Sequence, residues 1–580
     1  MLDLPIDTRS ASLTTFTVKA NGTALGAEYG IVSIEIRREA NRIPRATMVL
    51  IDGDAAAQSF PISEEDTLVP GVEVEILGGY SSDETTLFKG VVTRHRIEVG
   101  RRGGSRLTVE MCDKVFAMTV GRRSRNFSDV TDSDVMEQII GFHSGLTADV
   151  QATTFSHPQI VQHQVSDWDF LVMRAEMAGH AVICVDGTVQ CAPPAVAGTA
   201  AATALFGQGL FSAELELDAE TQLTAVETAA WDQANQEAVT AETDDQPTPG
   251  PGDISGSMLA DAGGVNTALR HPGALDQAAL DQWAAARMGR SRRAAVRGRI
   301  KVQGTEALLP GVLVDLGGLG SRFNGLGFVS GVRHRLGGGD WTTEALIGSD
   351  PRAHAERYPV AALGAGGILP PVRGLHIGIV AALESDPAGE DRIQVRIPTI
   401  TETDGLLWAR QALLDAGDQR GTVFRPEIGD EVVVGFLADD PRYPVILGAL
   451  HSSAKPSPVP GSDDNHEKAI VTRAGMRIHW DDDKIIATID TPAGNKVVLD
   501  EDGASILIED QNGNKVTLSD GGIEMESPKD IILKATGDVK IEGVNVEIKA
   551  SASVKAEGSG GAELKSSGQT VVKGSLVQIN

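Results

Sequence analysis

From Asp530 onward the chain restarts one short motif six times: Asp530-Ile-Ile-Leu-Lys, Asp538-Val-Lys-Ile-Glu, Asn545-Val-Glu-Ile-Lys, Ser553-Val-Lys-Ala-Glu, Ala562-Glu-Leu-Lys and Thr570-Val-Val-Lys. The starts lie eight, seven, eight, nine and eight residues apart, and from Asp481 to Asn580 there is no Phe, Tyr, Trp, His or Cys. Small aliphatics alternating with Lys, Glu, Asp or Ser carry the period of a strand, with nothing large to fill a core. A period near eight predicts one strand per repeat on a narrow prism, with Val539, Ile541, Val546, Ile548, Val554 and Leu564 pointing inward. A single chain cannot close such a prism, because a lone ladder leaves its apolar stripe and its backbone edges in water. Three intertwined copies cover both. At about 4.8 Å between stacked strands, the octads span on the order of 30 Å. Just upstream, Gly494-Asn-Lys-Val-Val-Leu-Asp echoes in Gly513-Asn-Lys-Val-Thr-Leu-Ser nineteen residues later, which predicts a stem of longer strands joined by Asn-Gly or Asp-Gly turns. The competing readings are a monomeric solenoid, which needs longer rungs and a bulkier core, and a disordered low-complexity tail.

The chain has 580 residues, too many for one core, so three or more domains are expected. A formal net charge of −29 argues against nucleic acid or an anionic membrane surface as partner, since both demand a cationic face. Cys112, Cys184 and Cys191 are too few for a disulfide scaffold and fit a reducing compartment. The start, Met1-Leu-Asp-Leu-Pro-Ile-Asp, shows no basic n-region or apolar h-region, and no stretch reaches about eighteen apolar residues. Synthesis in a cytoplasm without a cleavable export signal is the expectation.

The patterning predicts a mainly β protein. Residues 1–120 are expected to hold a first β-barrel, with strands such as Ile31-Val-Ser-Ile-Glu-Ile and Val72-Glu-Val-Glu-Ile-Leu. Residues 121–270 are an insert and linker. Thr131 with Asp134, and Ser166 with Asp169, begin two helices, the second ending at Gly179. A hairpin turns at Asp186-Gly187. The Ala, Thr, Gly and Pro-rich stretch 193–256 reads as loop. Residues 271–365 carry a helix from Pro272, with Trp283 on its inner side, and a second barrel segment. Leu68-Val-Pro-Gly-Val-Glu-Val recurs as Leu308-Leu-Pro-Gly-Val-Leu-Val, and Arg94-His-Arg as Arg333-His-Arg, at offsets of 240 and 239. Two anchors at one offset imply duplicated barrels, so three chains would set six similar barrels around one axis, suited to a six-fold ring. Five short strands within 371–455 predict a small OB-type barrel. A polar hinge over 456–470 leads to the spike, 471–580.

The OB segment contains Trp408-Ala-Arg410, Pro426-Glu-Ile-Gly429-Asp430-Glu431-Val432 and Phe436, then Pro444-Val-Ile-Leu-Gly448. Upstream stand Pro70-Gly71, Phe88-Lys-Gly90, Gly121-Arg-Arg-Ser-Arg125, Ser166-Asp-Trp-Asp-Phe-Leu171 and Arg174-Ala-Glu176. Together these resemble the VgrG family, the hub-and-spike proteins of type VI secretion, extracellular contractile injection systems and contractile phage baseplates. The resemblance covers essentially the whole chain. It implies a homotrimer with duplicated hub barrels and a few helices, an OB-fold collar and an intertwined triple-stranded β-helix needle. It further implies a structural role: joining a hexameric inner tube and baseplate subunits to a tip and transmitting contraction force to puncture a target envelope. The protein is then made in a bacterial cytoplasm and sits at the baseplate end of the particle. Two departures stand out. Only about a dozen residues separate the collar from the stem, too few for the lysozyme domain of some phage relatives, and no His-x-His metal motif follows His479. The final Leu576-Val577-Gln-Ile579-Asn580 is expected to dock a separate PAAR-type tip protein.

No catalytic, cofactor-binding or metal-ligating residue is expected. His157, His163 and Asp167 can be assembled into a hydrolase set on paper, but no Gly-x-Ser-x-Gly elbow accompanies them and no Cys/His set has zinc spacing; the two histidines are read as surface or interface groups. Gly317-Gly-Leu-Gly320 and Gly325-Leu-Gly327 imitate a phosphate loop without opening a helix. Cys184 and Cys191 are expected diagonally across their hairpin as buried thiols. Arg122, Arg123 and Arg125 read as a solvated or ion-paired loop. An alternative function is a trimeric fibre with an OB glycan site at Trp408, and a third is a β-helix lyase, which needs longer rungs with a cleft. The OB segment is poor in aromatics and rich in carboxylates, including Asp430 and Glu431, which favours a collar.

Overall fold

The computed structural model describes residues 13–100, 104–243, 250–402 and 405–579. Readings on Met1 to Asp7, on 244–249 and on Asn580 lie outside the described residues. Two compact units are present, Met1–Arg373 with Ala438–Pro441, and Gly374–Leu437 with Arg442–Asn580.

The first unit opens with β1 (Thr14–Ala20), β2 (Thr23–Ala24), β3 (Ile31–Glu39), β4 (Arg45–Ile51), β5 (Glu73–Tyr80), β6 (Asp83–Gly100) and β7 (Gly104–Cys112). Strict alternation explains their curvature around one core. Ile34 and Ile36, Ala46, Met48 and Leu50, and Leu107, Val109 and Met111 all turn inward and are buried. Next comes the insert: β8 (Arg123–Thr131), α1 (Asp132–Gly141), β9 (Thr147–Val150), β10 (Ser156–Val165), α2 (Asp167–Met177), β11 (Ala181–Val185) and β12 (Thr188–Ala192). Thr131 and Asp134 form the expected capping box, and Ser166 caps α2 by accepting from the Asp169 amide at 3.1 Å. Asp186 and Gly187 both take positive φ in the two-residue turn, and register sets Cys184 opposite Val189 and Cys191 opposite Val182, so the two buried thiols are diagonal neighbours.

The stretch 193–256 is not a loop, contrary to its composition. It contains β13 (Ala202–Phe206), β14 (Gly209–Leu217), β15 (Val226–Asp232), β16 (Glu237–Thr243) and the start of α3 (Gly256–Ala260). β17 (Thr267–His271) and α4 (Gln277–Arg293) follow. The small residues that suggested a linker are those a close helix-on-sheet contact requires. Ala230 and Ala241 pack on Leu280, and the Thr228 hydroxyl donates to the Leu280 carbonyl at 3.0 Å. Likewise α4 does not begin at Pro272: Asp276 is its cap, accepting from the Ala279 amide at 2.9 Å, while Trp283 is partly buried against the Leu280 cluster.

The second lobe is completed by β18 (Val296–Gln303), β19 (Leu313–Gly317), β20 (Gly325–Gly337) and β21 (Asp340–Ile347), with α5 (His354–Arg357) beyond. β13, β14, β18, β21, β20 and β19 pair in a ring, and β20 also pairs with β3, fusing both lobes into one sheet. The duplication extends to atomic detail. Gly71 and Gly311 both take positive φ and donate to Val92 and Val329 carbonyls at 2.9 and 2.8 Å. Each following strand then carries a bulge, at Thr93 and at Ser330, whose hydroxyl donates back to the neighbouring strand. The lobes share a core as well. Trp341 of the second stacks on Tyr80 of the first with ring centroids 5.3 Å apart, and the Tyr80 hydroxyl donates to the Gly304 carbonyl at 2.9 Å.

In the second unit, β22 (His376–Ala382), β23 (Ile393–Arg396), β24 (Leu406–Gln411), the short β25 (Ala416–Gly417) and β26 (Arg420–Gly421), β27 (Glu431–Phe436) and β28 (Pro444–Ala449) form the OB module. Five of them close a barrel in the order β22-β23-β24-β28-β27, around Val380, Ile393, Val395, Ala409, Val432, Val434 and Ile446. Beyond it, β29 (Glu467–Val471), β30 (Arg477–Asp481), β31 (Ile486–Asp490), β32 (Lys496–Asp500), β33 (Ser505–Glu509), β34 (Lys515–Ser519) and β35 (Gly522–Glu526) run as one antiparallel meander. From 530 to 579 the chain is extended, bending about every eight residues, and makes no strand pairing within itself.

Candidate functional site

The candidate site is the surface that the C-terminal region leaves uncovered. Strand alternation puts two apolar columns on one face of the meander. In register across all seven strands stand Ile470, Ile478, Ile489, Val497, Ile508, Val516 and Met525. Beside them run Trp480, Ala487, Leu499, Ile506, Leu518 and Ile523. Most of these side chains are exposed, and two open grooves of about 580 and 760 Å³ run along the face. Contiguous apolar surface of this kind marks an interaction site.

The opposite face carries a ladder of alternating charge. Arg477, Asp490, Lys496, Glu509, Lys515 and Glu526 stand opposite one another in sequence from strand to strand. Ion pairs join Arg477 to Asp490 at 3.0 Å, Lys496 to Glu509 at 3.0 Å and Lys515 to Glu526 at 2.6 Å. The turns repeat with the charges. Gly475, Gly494 and Gly513 all have positive φ and donate to Thr472, Thr491 and Asp510 carbonyls at 2.9, 2.9 and 3.1 Å. The nineteen-residue unit therefore has a third copy beginning at Thr472, less plain in the sequence because Thr472-Arg-Ala-Gly-Met-Arg shares Thr, Ala, Gly and a cation with Thr491-Pro-Ala-Gly-Asn-Lys but only the Gly and the cation with Asp510-Gln-Asn-Gly-Asn-Lys.

In the octads, Val539 is 57 % exposed, Ile541 69 %, Ile548 73 % and Leu564 81 %, and Val546 and Val554 are exposed too. A single chain gives these side chains no core. Leu576, Val577 and Ile579 are likewise exposed.

The OB signature residues build the barrel. Gly429 occupies a left-handed turn and donates to the Val380 carbonyl at 2.8 Å. Asp430 accepts from the Glu427 amide and from Lys455, each bond 2.7 to 2.8 Å, and the Lys455 hydrogen bond holds its carboxyl below the usual range. Glu431 begins β27, its carbonyl accepting from Leu450 at 3.1 Å, while Pro426 precedes the turn. Trp408 and Arg410 lie on β24, Trp408 half-buried and Arg410 exposed.

The paper hydrolase set is not brought together. His157 is buried rather than superficial, 3.2 Å from Asp132, and His163 is exposed. Asp167 instead accepts from Arg125 at 2.5 Å and Gln162 at 2.8 Å and lies 2.9 Å from His143. Burial opposes ionisation of Asp132 and Asp167, but His157 and Arg174 for the first, and Arg125, Gln162 and His143 for the second, hold both below the usual carboxylate range. These motifs thus anchor the insert. Arg122 donates to the carbonyls of Gln164, Val360 and Ala361 at 2.6 to 3.1 Å, and Asp169 holds His354 at 2.8 Å. Arg123 donates only to the neighbouring Arg122 carbonyl. Among the described residues no three His, Cys, Asp or Glu side chains are placed to hold a metal, and no helix is long and apolar enough to cross a membrane.

Solved structures similar to the chain include the tail protein of Neisseria meningitidis MC58, 14 % identical over 60 % of this chain and 99 % of that one, with a TM-score of 0.43. The prophage MuSo2 43 kDa tail protein of Shewanella oneidensis is 12 % identical over 58 % and 98 %, TM-score 0.43. The E. coli c3393 protein, a type VI secretion component, is 12 % identical over 75 % and 99 %, TM-score 0.38. Residues 376–451 match the family model of the type VI secretion system/phage-baseplate injector OB domain. That span contains Trp408, Arg410 and the Pro426–Glu431 run, so the VgrG-like resemblance is borne out where its motifs are most specific. Residues 10–337, more than half of the sequence, match the model of the Alg8 N-terminal domain, and the chain belongs to that family.

Proposed function

We propose that this chain is the central spike of a contractile injection machine, acting as a homotrimer. The observation that carries the reading is the pair of apolar columns continuing into unpaired octads, a surface that copies of the same chain can cover by intertwining. Residues 1–365 act as hub on a hexameric inner tube and baseplate subunits, 371–455 as collar, 456–470 as hinge and 471–580 as spike. The duplicated lobes support the hub assignment, since three chains present six similar lobes to a six-fold ring. Exposed Leu576, Val577 and Ile579 dock a PAAR-type tip protein. The protein is made in the bacterial cytoplasm, works at the baseplate end and enters the target envelope on firing. Its work is mechanical rather than catalytic: contraction force passes from tube through hub to a needle stiffened by hydrogen bonds between chains.

Native mass spectrometry of the full chain and of fragment 456–580 tests this. Trimers in both support the spike; a monomeric fragment overturns the intertwined needle.

A further inference from the structure

In a chain of net charge −29, six arginines, Arg287, Arg290, Arg292, Arg293, Arg297 and Arg299, fall within thirteen residues at the end of α4 and the start of β18. Three are satisfied by their neighbours. Arg292 donates to the Leu223 carbonyl at 2.9 Å, Arg297 pairs with Asp218 and Glu216, and Arg299 pairs with Glu214. The other three, Arg287, Arg290 and Arg293, recur every third residue and so stack on one face of the helix, where like charges repel. Only Arg290 has a carboxylate within 4 Å, Glu176 at 3.7 Å, while the charge of Glu356 acts on Arg287 from further off. Arg287 Nη1 is buried without a hydrogen-bond partner. Burial, and then the charge of Arg290, push Arg287 down, against the opposing charge of Glu356, and push Arg293 down to about 10, which leaves Arg293 cationic at neutral pH.

Arg290 and Arg293 of this ladder face a cavity of about 250 Å³ bounded by the β3–β4 turn, the end of α2, α4 and the segment after β21. Arg42, Arg352 and Arg357 join Arg290 and Arg293 in its wall, against three carboxylates that are already engaged. Arg42 holds Glu39 at 2.9 Å, Arg352 and Arg357 share Asp350 at 2.9 and 3.4 Å, and Glu176 accepts from Asn41 and from the His354 amide. His180 lines the same wall, 7 % exposed, with Nδ1 lacking any partner. A surplus of half-buried guanidinium charge around a space of several water volumes, at about 30 Å³ each, is built for an anion with more than one acceptor oxygen.

We propose that this cavity binds a small phosphate-class oxyanion, held by Arg290 and Arg293 with Arg42, Arg352 and Arg357 at the wall. Occupancy relieves the repulsion along α4 and ties together the β3–β4 turn, α2, α4 and the segment after β21. The hub's stability is thereby coupled to the anion.

The test is thermal unfolding of the full chain in phosphate, pyrophosphate or glycerol phosphate against chloride at matched pH and ionic strength. A saturable rise in midpoint is expected for the wild type. Arg293→Gln should weaken the apparent affinity at least tenfold, yet unfold no earlier than wild type in chloride, because a repelled charge is gone. Arg299→Gln, outside the cavity, should keep the full response. If Arg293→Gln misfolds, Arg352→Gln and calorimetric titration of the wild type with pyrophosphate decide. Response to glycerol phosphate as well as the free anions means that a terminal phosphoryl group suffices; response to the free anions alone assigns the site to inorganic phosphate. A rise linear in salt and equal in wild type and variants, or none, overturns the proposal.

Discussion

The two N-terminal lobes and the C-terminal meander use the same aliphatic alternation to opposite ends. In the lobes every inward row meets another from the same chain, so Ile36, Met48, Leu50, Ile76 and Met111 are buried to the last few square ångströms. In the meander, rows of equal regularity from Ile470 to Met525 meet nothing, and the octads beyond lack even backbone partners within the chain. Alternation therefore announces a strand face. Whether that face is a core or an interface depends on whether the strand path folds back over it, and a meander of five-residue strands does not.

The strongest way to break this contrast is to charge the uncovered rows. Ile508→Asp or Ile548→Asp should abolish the proposed trimer on a sizing column with light scattering while the hub's circular dichroism and unfolding midpoint stay unchanged; an unaltered trimer mass would refute the assigned faces. Next comes the shared hub core: Trp341→Ala should cost about 3–5 kcal/mol in urea unfolding, because it removes a ring packed between both lobes.

A smaller effect per pH unit is expected from His334, which burial, aided by the charge of Arg38, pushes down to about 3. The unfolded chain takes up its proton near pH 6.5 while the folded hub refuses it, so this group's contribution is fully present above that pH and lost as the pH falls from about 6.5 toward 3. The slope is about 1.4 kcal/mol per pH unit. His334→Gln should flatten the acid side of a stability profile by that amount, and an unchanged slope would assign the acid sensitivity elsewhere. Asp276→Ala, removing the cap of α4, should cost about 1 kcal/mol. Least of all, Lys496→Ala in the exposed charge ladder should shift unfolding by under about 1 kcal/mol and only at low salt.

What was legible depended on how local the signal was. Thr131 with Asp134, Asp186-Gly187 and the Gly71/Gly311 echo are each decided within a few residues, and all three appear in the structure. The strands of 226–243 were invisible because Ala230 and Ala241 are buried by an approaching helix, and β13 because Ala204 is buried in the second lobe's core, tertiary events that leave only small size in the sequence. His157 looked like a surface group for the same reason: its partners Asp132 and Arg174 come from the ends of two different helices. The arginine ladder of α4 was present in plain letters, but its meaning depends on which carboxylates the fold brings near, and too few come.

The charge ladder also makes the stem modular in length. Removing residues 491–509 would join Asp490 to Asp510, bring Lys515 opposite Asp490 and leave positive facing negative at every rung. The stem would shorten by two strands, about 10 Å, with its hydrophobic rows still in line. Its reach can thus be trimmed or extended one hairpin at a time, while a one-strand change would set like charges face to face. The register thus fixes the meander's length in increments of one nineteen-residue unit.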